Sequence, residues 1–172
     1  MYEVGKYVSY RSEGVCKIVD IRKEIFGVVG KDTLYYVLSP VNDEKSTFFV
    51  PVENEQLVSM MRKVLSAEEI VELIVKVSKR KFEWIEESKP RGLHFKQILS
   101  DGDREELVYL VHTVSTYIER RNEIGKKAYA TDINAMKRAG KMLCDEFCMM
   151  IPMKTAEEAI DFVERVCSGE EI

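Results

Sequence analysis

The N-terminal third of the chain alternates between short apolar segments and clusters of chain-breaking residues. The apolar segments are rich in Val, Ile, Tyr, Phe and Thr, which favour strands, and Gly, Pro, Asn and Asp lie between them. The predicted strands are 6–10, 14–22, 33–39 and 46–51. Strands this short and this close in sequence predict a small antiparallel barrel or a strongly twisted sheet.

From residue 66 onward the apolar spacing becomes that of amphipathic helices. Ser66 and Glu69 have the spacing of a capping box, and apolar residues then recur at every third or fourth position. Pro90 and Gly92 predict an irregular segment or a short turn of helix over 82–90. Further helices are predicted over 93–100, from Arg104 to about Arg121, from Thr131 or Asp132 to Pro152, and after a second capping box at Thr155 and Glu158.

These patterns predict an α+β protein with two domains. A small N-terminal antiparallel β-barrel or sheet occupies residues 1–62, and an all-α domain occupies residues 63–172. The change from strand to helix spacing places the boundary near residues 55–66.

Composition restricts the class of protein. The 172 residues are 45% hydrophobic and 33% charged, which is ordinary for a globular protein without membrane segments. The apolar runs are too short to span a bilayer, and the N-terminus does not resemble a secretory signal, so we expect a cytoplasmic protein. The four cysteines and two histidines lack the spacing of a metal site, and we expect reduced thiols and no metal.

Charge is distributed unevenly along the chain. Residues 76–96 carry seven basic and three acidic side chains, a local charge of +4 in a chain of net charge −4. Residues 117–141 are also basic, whereas residues 1–62 are close to neutral. Trp84, the only tryptophan, lies in the first basic stretch. A planar ring among cations suits contact with a nucleic acid, but residue chemistry alone favours a core tryptophan with a solvated charged rim.

The motifs of common enzyme classes are absent from the sequence. It contains no Gly-rich phosphate loop, no His-Glu-x-x-His and no nucleophile elbow. His94 and His112 have no Ser or Cys partner that is evident from the sequence. We therefore expect no catalysis, no cofactor and no small-molecule substrate.

An ordered set of short motifs resembles a known family. The motifs are Val4-Gly5-Lys6-Tyr7-Val8-Ser9-Tyr10, Gly14-Val15-Cys16-Lys17-Ile18-Val19-Asp20-Ile21, Tyr35-Tyr36-Val37-Leu38, Thr47-Phe48-Phe49-Val50-Pro51-Val52-Glu53-Asn54, Trp84, Leu99-Ser100-Asp101-Gly102-Asp103, Glu106-Leu107-Val108, and Met136 to Glu146 with its Ala139, Met142 and Leu143. In this order they resemble the CarD/CdnL family of bacterial transcription regulators. The resemblance covers about residues 3 to 150 and leaves the tail 154–172 outside.

The resemblance implies a fold and a function. It implies a Tudor-like domain, shared with the transcription-repair coupling factor, that docks on the β subunit of RNA polymerase. It further implies a helical domain that contacts promoter DNA near the upstream edge of the melting bubble, where the family's tryptophan, matched here by Trp84, wedges into the minor groove. The resemblance therefore favours a DNA-facing Trp84 over a core Trp84.

The resulting hypotheses name two sets of residues. For nucleic-acid binding they are Trp84, Lys81, Lys89, Arg91, Lys137 and Lys141, and for partner binding they are Arg22, Lys23, Phe48, Phe49 and Pro51. The sequence departs from the family at Phe49, where some members have a basic residue, and at Glu86-Glu87, where some have paired arginines. The alternative function is a protein–protein adaptor that docks on polymerase or a repair factor without productive DNA contact.

Overall fold

The computed structural model describes residues 1–26, 30–43 and 45–170. They form two compact units, Met1–Val64 and Leu65–Ile172. The elements of the first unit are β1 (Tyr7–Tyr10), β2 (Val15–Glu24), β3 (Thr33–Pro40), β4 (Phe48–Pro51), α1 (Glu55–Val58) and β5 (Met61–Lys63). Those of the second unit are α2 (Ala67–Ser78), α3 (Ser88–Asp101), α4 (Arg104–Glu123), α5 (Ala130–Phe147) and α6 (Ala156–Ser168).

The strands of the first unit form one antiparallel sheet in the order β4-β3-β2-β1-β5. The sheet is open, with β4 and β5 at its edges within the described residues. The predicted α+β class with an N-terminal antiparallel sheet is confirmed. The sequence did not predict β5, because three residues are too few to show alternation and the strand exists through its pairing with β1.

One face of the sheet covers a small hydrophobic core. Buried side chains from several strands form it, namely Val8, Tyr10, Cys16, Ile18, Tyr36, Leu38, Val50 and Met61. Phe48 and residues of α1 pack against its rim. The short helix α1 begins after Asn54, whose side chain accepts a hydrogen bond from Leu57 N at 3.1 Å.

A β-bulge in β2 changes which residues point into this core. The pairing of β2 with β3 shifts between Ile18 and Asp20, so that Val19 is the extra residue. Before the bulge Cys16 and Ile18 are buried, and after it Ile21 packs on the core. Because side chains alternate along a strand, the extra residue moves even-numbered positions from the core face to the outer face.

The helices of the second unit begin where their capping signals predict, with two exceptions. Both capping boxes are present: Ser66 Oγ accepts from Glu69 N at 3.3 Å, and Thr155 Oγ1 accepts from Glu158 N at 3.1 Å. Asp103 caps α4 by accepting from the backbone N–H groups of the first turn.

The predicted starts of α3 and α5 are wrong. α3 begins at Ser88 and not at residue 93, because Pro90 lies in the first turn, where a helix does not need the missing N–H. α5 begins at Ala130 with Tyr129 as the N-cap residue, so Asp132 is inside the first turn and does not cap it. α5 ends at Phe147, before Pro152.

The second unit has a continuous hydrophobic core to which each of α2–α6 contributes. Within it α5 and α6 approach closely at Gly140. A Cβ atom built at Gly140 would lie 2.7 Å from Cγ1 of Ile160 and 2.8 Å from the carbonyl oxygen of Ala156. The absence of a side chain at this position therefore sets the separation of the two helices.

We expect Gly140→Ala to lower the free energy of unfolding by about 1–3 kcal/mol, because the added methyl group overpacks the α5–α6 contact. The matched control is Gly92→Ala in α3, where a Cβ atom meets nothing within 4 Å. There the better helix former should raise the free energy of unfolding by about 1 kcal/mol. Urea denaturation followed by circular dichroism measures both changes, and equal effects of the two substitutions would contradict the close-contact explanation.

Candidate partner and nucleic-acid interfaces

The outer face of the sheet carries an aromatic cluster beside the β4 edge. Phe26 lies 4.9 Å from Phe49 and 5.2 Å from Tyr35 between ring centroids, in edge-to-face arrangements. Tyr35 and Phe49 are 6.2 Å apart, and the guanidinium of Arg22 lies 5.8 Å from the Phe49 ring. We call Arg22, Phe26, Tyr35 and Phe49 the outer-face cluster. Such half-exposed aromatic side chains near a strand edge are typical of protein-docking sites.

The structure places Arg22, Phe49 and Pro51 of the predicted partner-binding set on this outer face. Tyr35 pairs with Arg22 on one side and with Pro51 on the other, so the three form one row across the sheet. Arg22 faces outward because the β2 bulge shifts the alternation. Its charge is partly offset by Glu24 at 2.7 Å and Asp20 at 3.3 Å.

Phe48 and Lys23 do not share the outer-face cluster. Phe48 packs against the core on the opposite face, and Lys23, adjacent to Arg22 in the strand, pairs with Asp32 at 3.2 Å. Because side chains alternate along a strand, one residue of each aromatic pair faces outward, and these are Tyr35 and Phe49. The sequence did not identify Phe26, which lies just after β2 with no alternation to mark it.

Trp84 lies in the segment 79–87 that joins α2 to α3, which we call the Trp84 strap. The indole is partly buried and stacks on Tyr117 of α4 at 3.6 Å with an interplanar angle of 12°. Phe95 meets it edge-on at 6.3 Å, and the Arg91 guanidinium lies 4.7 Å from the ring centroid. Since Tyr117 occupies one face, Arg91 covers the other. Trp84 therefore offers part of its edge, and not a free face, to a partner.

Arg91, predicted to contact nucleic acid, is buried, with 1% of its surface exposed. Its Nε donates to Asp132 Oδ1 at 3.1 Å, and its Nη2 lies 3.0 Å from Asp132 Oδ2. Its Nη1 donates to the backbone carbonyls of Ile85 and Glu86 at 2.7 and 2.8 Å. A guanidinium that is 1% exposed has no surface left for a phosphate, so the structure does not support the predicted contact of Arg91 with nucleic acid.

The remainder of the Trp84 strap is held against α4. The Tyr109 hydroxyl donates to the Lys81 carbonyl at 3.1 Å and accepts from Glu83 N at 3.2 Å. Arg80 pairs with Glu106 at 2.7 Å and lies 4.0 Å from the Tyr109 ring. These contacts satisfy backbone groups of a segment that has no regular secondary structure.

An open groove of about 870 Å³ runs between α3 and the start of α5. Lys89, Lys96 and Arg138 line it, and within the described residues none of the three forms an ion pair. Leu93 and Tyr129, which are 61% and 51% exposed, add apolar surface to the same groove. Unpaired cations beside exposed apolar side chains are typical of surfaces that meet a nucleic-acid backbone and sugar edge. We call this the α3–α5 groove.

The other predicted nucleic-acid residues lie in different surroundings. Lys89 belongs to the α3–α5 groove, and Lys81 is exposed in the Trp84 strap. Lys141 pairs with Asp145 at 2.6 Å, and Lys137 pairs with Glu157 of α6 at 3.4 Å, so both charges already have partners. The sequence-based set omitted Lys96 and Arg138, although both lie in the basic stretches that it identified.

His112 has partners that the sequence did not reveal. On α4 its Nδ1 lies 3.5 Å from Glu164 Oε1 of α6, and the interaction with Cys167 followed by that with Glu164 raises the pKa of His112 to about 10. The contact links α4 to α6, and the raised pKa of His112 favours the charged imidazolium. Burial raises the pKa of Cys16 to about 12, which makes that thiol unreactive.

The described residues reveal neither a metal site nor a membrane span. They contain no group of three or more His, Cys, Asp or Glu side chains that could hold a metal ion. None of their helices is both long enough and apolar enough to cross a membrane. None of the four cysteines, all of which are described, forms a disulfide.

The chain combines a small open sheet that has an aromatic outer face with helices that carry a basic groove. This combination is typical of proteins that have a docking module and a separate charged helical unit. Residues 2–65 match the family model of the CarD-like/TRCF RID domain. The N-terminal unit therefore resembles a domain type that is associated with transcription and with interaction with RNA polymerase. No curated protein matches the chain.

Folding raises the pKa of His112 from 6.5 to about 10. We therefore expect the free energy of unfolding of the helical unit to decrease as pH rises from about 6.5 to about 10. The stabilisation by His112 is complete below the pKa of the unfolded state, where His112 is protonated in both the folded and the unfolded protein. It is lost as pH rises through the pKa of the folded state. Urea denaturation across this pH range should show that the difference between the wild type and His112→Gln shrinks as pH rises. A difference that stays constant with pH would contradict the assignment.

Proposed function

We propose that this protein regulates transcription by docking its sheet on the β subunit of RNA polymerase while its helical unit contacts promoter DNA near the upstream edge of the melting bubble. The contact would change the stability of the open complex. The observation that carries the proposal is the match of residues 2–65 to a polymerase-interacting domain. We expect a cytoplasmic location and no catalytic role.

The β4 edge and the outer-face cluster support the docking part of the proposal. Within the described residues β4 pairs with a neighbour on one side only, so a strand of the partner can extend the sheet there. Phe49 and Pro51 flank the buried Val50 on this strand and face outward. An aromatic anchor at a strand edge combines backbone pairing with side-chain specificity.

We expect Phe49→Ala to weaken binding of the full-length protein to the polymerase β subunit by about 2 kcal/mol, roughly a thirtyfold rise in Kd, because it removes the central ring of the outer-face cluster. Calorimetry or biolayer interferometry measures the affinity, and circular dichroism verifies folding. The matched control is Tyr7→Ala, an exposed aromatic on β1, away from the β4 edge. An equal loss for the two variants would contradict docking at β4.

The α3–α5 groove supports the DNA part of the proposal. Three cations from two helices have no ion-pair partner among the described residues, and Leu93 and Tyr129 lie in the same groove. The cations can follow a phosphate backbone while the apolar groups meet the sugar edge. The net charge of the chain is −4, so a local patch is needed to attract DNA at all. We expect weak and salt-sensitive binding that matters once polymerase has brought the DNA close.

We expect replacement of Lys96 and Arg138 by Gln to reduce the slope of log affinity against log salt by about 1.8, since each phosphate contact contributes about 0.9. The matched control replaces Lys137 and Lys141 by Gln, because those cations are already paired with carboxylates. Fluorescence anisotropy on a promoter fragment over a range of salt concentrations measures the slopes. A larger change in the control would return the DNA contact to the Lys137–Lys141 face.

The second candidate function is a protein–protein adaptor that docks on polymerase without productive DNA contact. The observation in its favour is the packing of Trp84, whose two faces are occupied by Tyr117 and Arg91. Footprinting of a promoter–polymerase complex distinguishes the candidates. Protection at the upstream edge of the bubble that depends on Trp84 favours the regulator, and unchanged protection favours the adaptor.

A further inference from the structure

Arg91 is the residue through which the Trp84 strap is attached to α5. Its Nε donates to Asp132 Oδ1, its Nη2 lies 3.0 Å from Asp132 Oδ2, and its Nη1 donates to the carbonyls of Ile85 and Glu86, which follow Trp84 directly in the chain. The central carbon of the same guanidinium lies 4.7 Å from the centroid of the Trp84 ring. A single side chain thus contacts the ring, the backbone beside the ring and an anchor on another helix.

We propose that Arg91 is a positioning residue that holds Trp84 in a fixed orientation with one edge of the indole presented to the partner. This inference rests on the proposed function for its biological consequence, but the orientation itself is a property of the folded chain. Tyr117 supports one face of the ring and Arg91 the other, so the direction in which the edge points depends on both contacts. A side chain that separates two stacked bases must be held rigidly, because a mobile ring would move aside and leave the bases stacked.

Only arginine can make this set of contacts. Its guanidinium directs five N–H groups in one plane, which allows two bonds to a carboxylate, two to carbonyls and stacking on an aromatic face. A lysine at this position would retain the charge opposite Asp132 but would lose the fixed fork and the flat surface against Trp84. Lys is therefore the substitution that separates positioning from simple charge compensation.

A second buried ion pair in the same unit provides a matched control. Arg104 of α4 pairs with Glu146 of α5 at 2.9 Å, and both side chains are largely buried. The contacts of the Trp84 ring given above are with Tyr117, Phe95 and Arg91. Weakening this pair should destabilise the fold in a comparable way while leaving the surroundings of Trp84 unchanged.

The first experiment uses the fluorescence of Trp84, the only tryptophan. It compares the full-length wild type, Arg91→Lys and Glu146→Gln at a temperature at which circular dichroism shows all three to be folded. Arg91→Lys should raise the undocked population of the ring by about tenfold or more, because it removes charge-assisted bonds to the strap. The emission should shift to longer wavelength, acrylamide quenching should increase, and the near-ultraviolet dichroism from the Trp84–Tyr117 stack should fall.

Asp132→Asn is the second variant, in case Arg91→Lys does not fold. It has nearly the same shape and leaves the bonds from Arg91 to the strap carbonyls in place, but it weakens the anchor on α5. We expect the same spectral changes at smaller amplitude. Unchanged spectra in whichever of these variants folds, or equal changes in Glu146→Gln, would overturn the inference.

The functional experiment measures the lifetime of the open complex on one promoter with the wild type, Trp84→Ala, Arg91→Lys and the double variant. Arg91→Lys should reproduce most of the loss caused by Trp84→Ala, and the double variant should lose no more than Trp84→Ala alone. An additive loss in the double variant would overturn positioning through Trp84. A wild-type protein without effect on the lifetime would refute the proposed function, whereas the fluorescence result would still decide the role of Arg91.

Discussion

The buried ion pair between Arg91 and Asp132 is the interaction on which the Trp84 side of the helical unit depends. Moving two charges out of water costs several kcal/mol per ion, and the mutual attraction compensates only when the geometry is good and the remaining donors are satisfied. Here Nε of Arg91 donates to one carboxylate oxygen of Asp132, Nη2 lies 3.0 Å from the other, and Nη1 donates to two backbone carbonyls. The strap, α3 and α5 are therefore constrained to one arrangement, since any other would leave a buried charge without its partners.

A second buried ion pair, between Arg104 and Glu146, constrains the C-terminal end of α5 in the same way. Asp132 lies in the first turn of α5, where the helix dipole favours a negative charge. Glu146 lies in the last turn, where the dipole disfavours it, and Arg104 at the start of α4 compensates. Between these ends, Gly140 allows α6 to approach within contact of the α5 backbone. The register of α5 is thus fixed by polar contacts at both ends and by shape in the middle.

Patterns within a short stretch of sequence predicted those helices, strands and helix ends that depend on residues adjacent in sequence. The capping boxes at Ser66 and Thr155 identified two helix starts. The sequence did not predict strand β5 or the β2 bulge, because each exists only through pairing with another strand. The bulge matters most, since it alone places Arg22 on the outer face.

The candidate site could be predicted less well, because a count of charges treats every side chain as exposed. Arg91 is one of the cations that make residues 76–96 basic, yet its partner lies 41 positions away in sequence and removes it from the surface. Lys137 and Lys141 were also counted, but carboxylates of α6 and of α5 itself offset them. Pairing between distant positions is a tertiary property that spacing along the chain does not encode.

The groove cations that have no ion-pair partner among the described residues come from both basic stretches of the sequence. Lys89 and Lys96 come from the first stretch and Arg138 from the second, and they become one surface only where α3 lies beside α5. Arg91 and Asp132 line the same groove and hold these two helices together. One buried pair therefore sets both the spacing of the cations and the orientation of Trp84. A substitution in the Arg91–Asp132 pair can therefore change DNA binding either through the spacing of the cations or through the orientation of Trp84. Only a measurement on the indole of Trp84 separates the two effects.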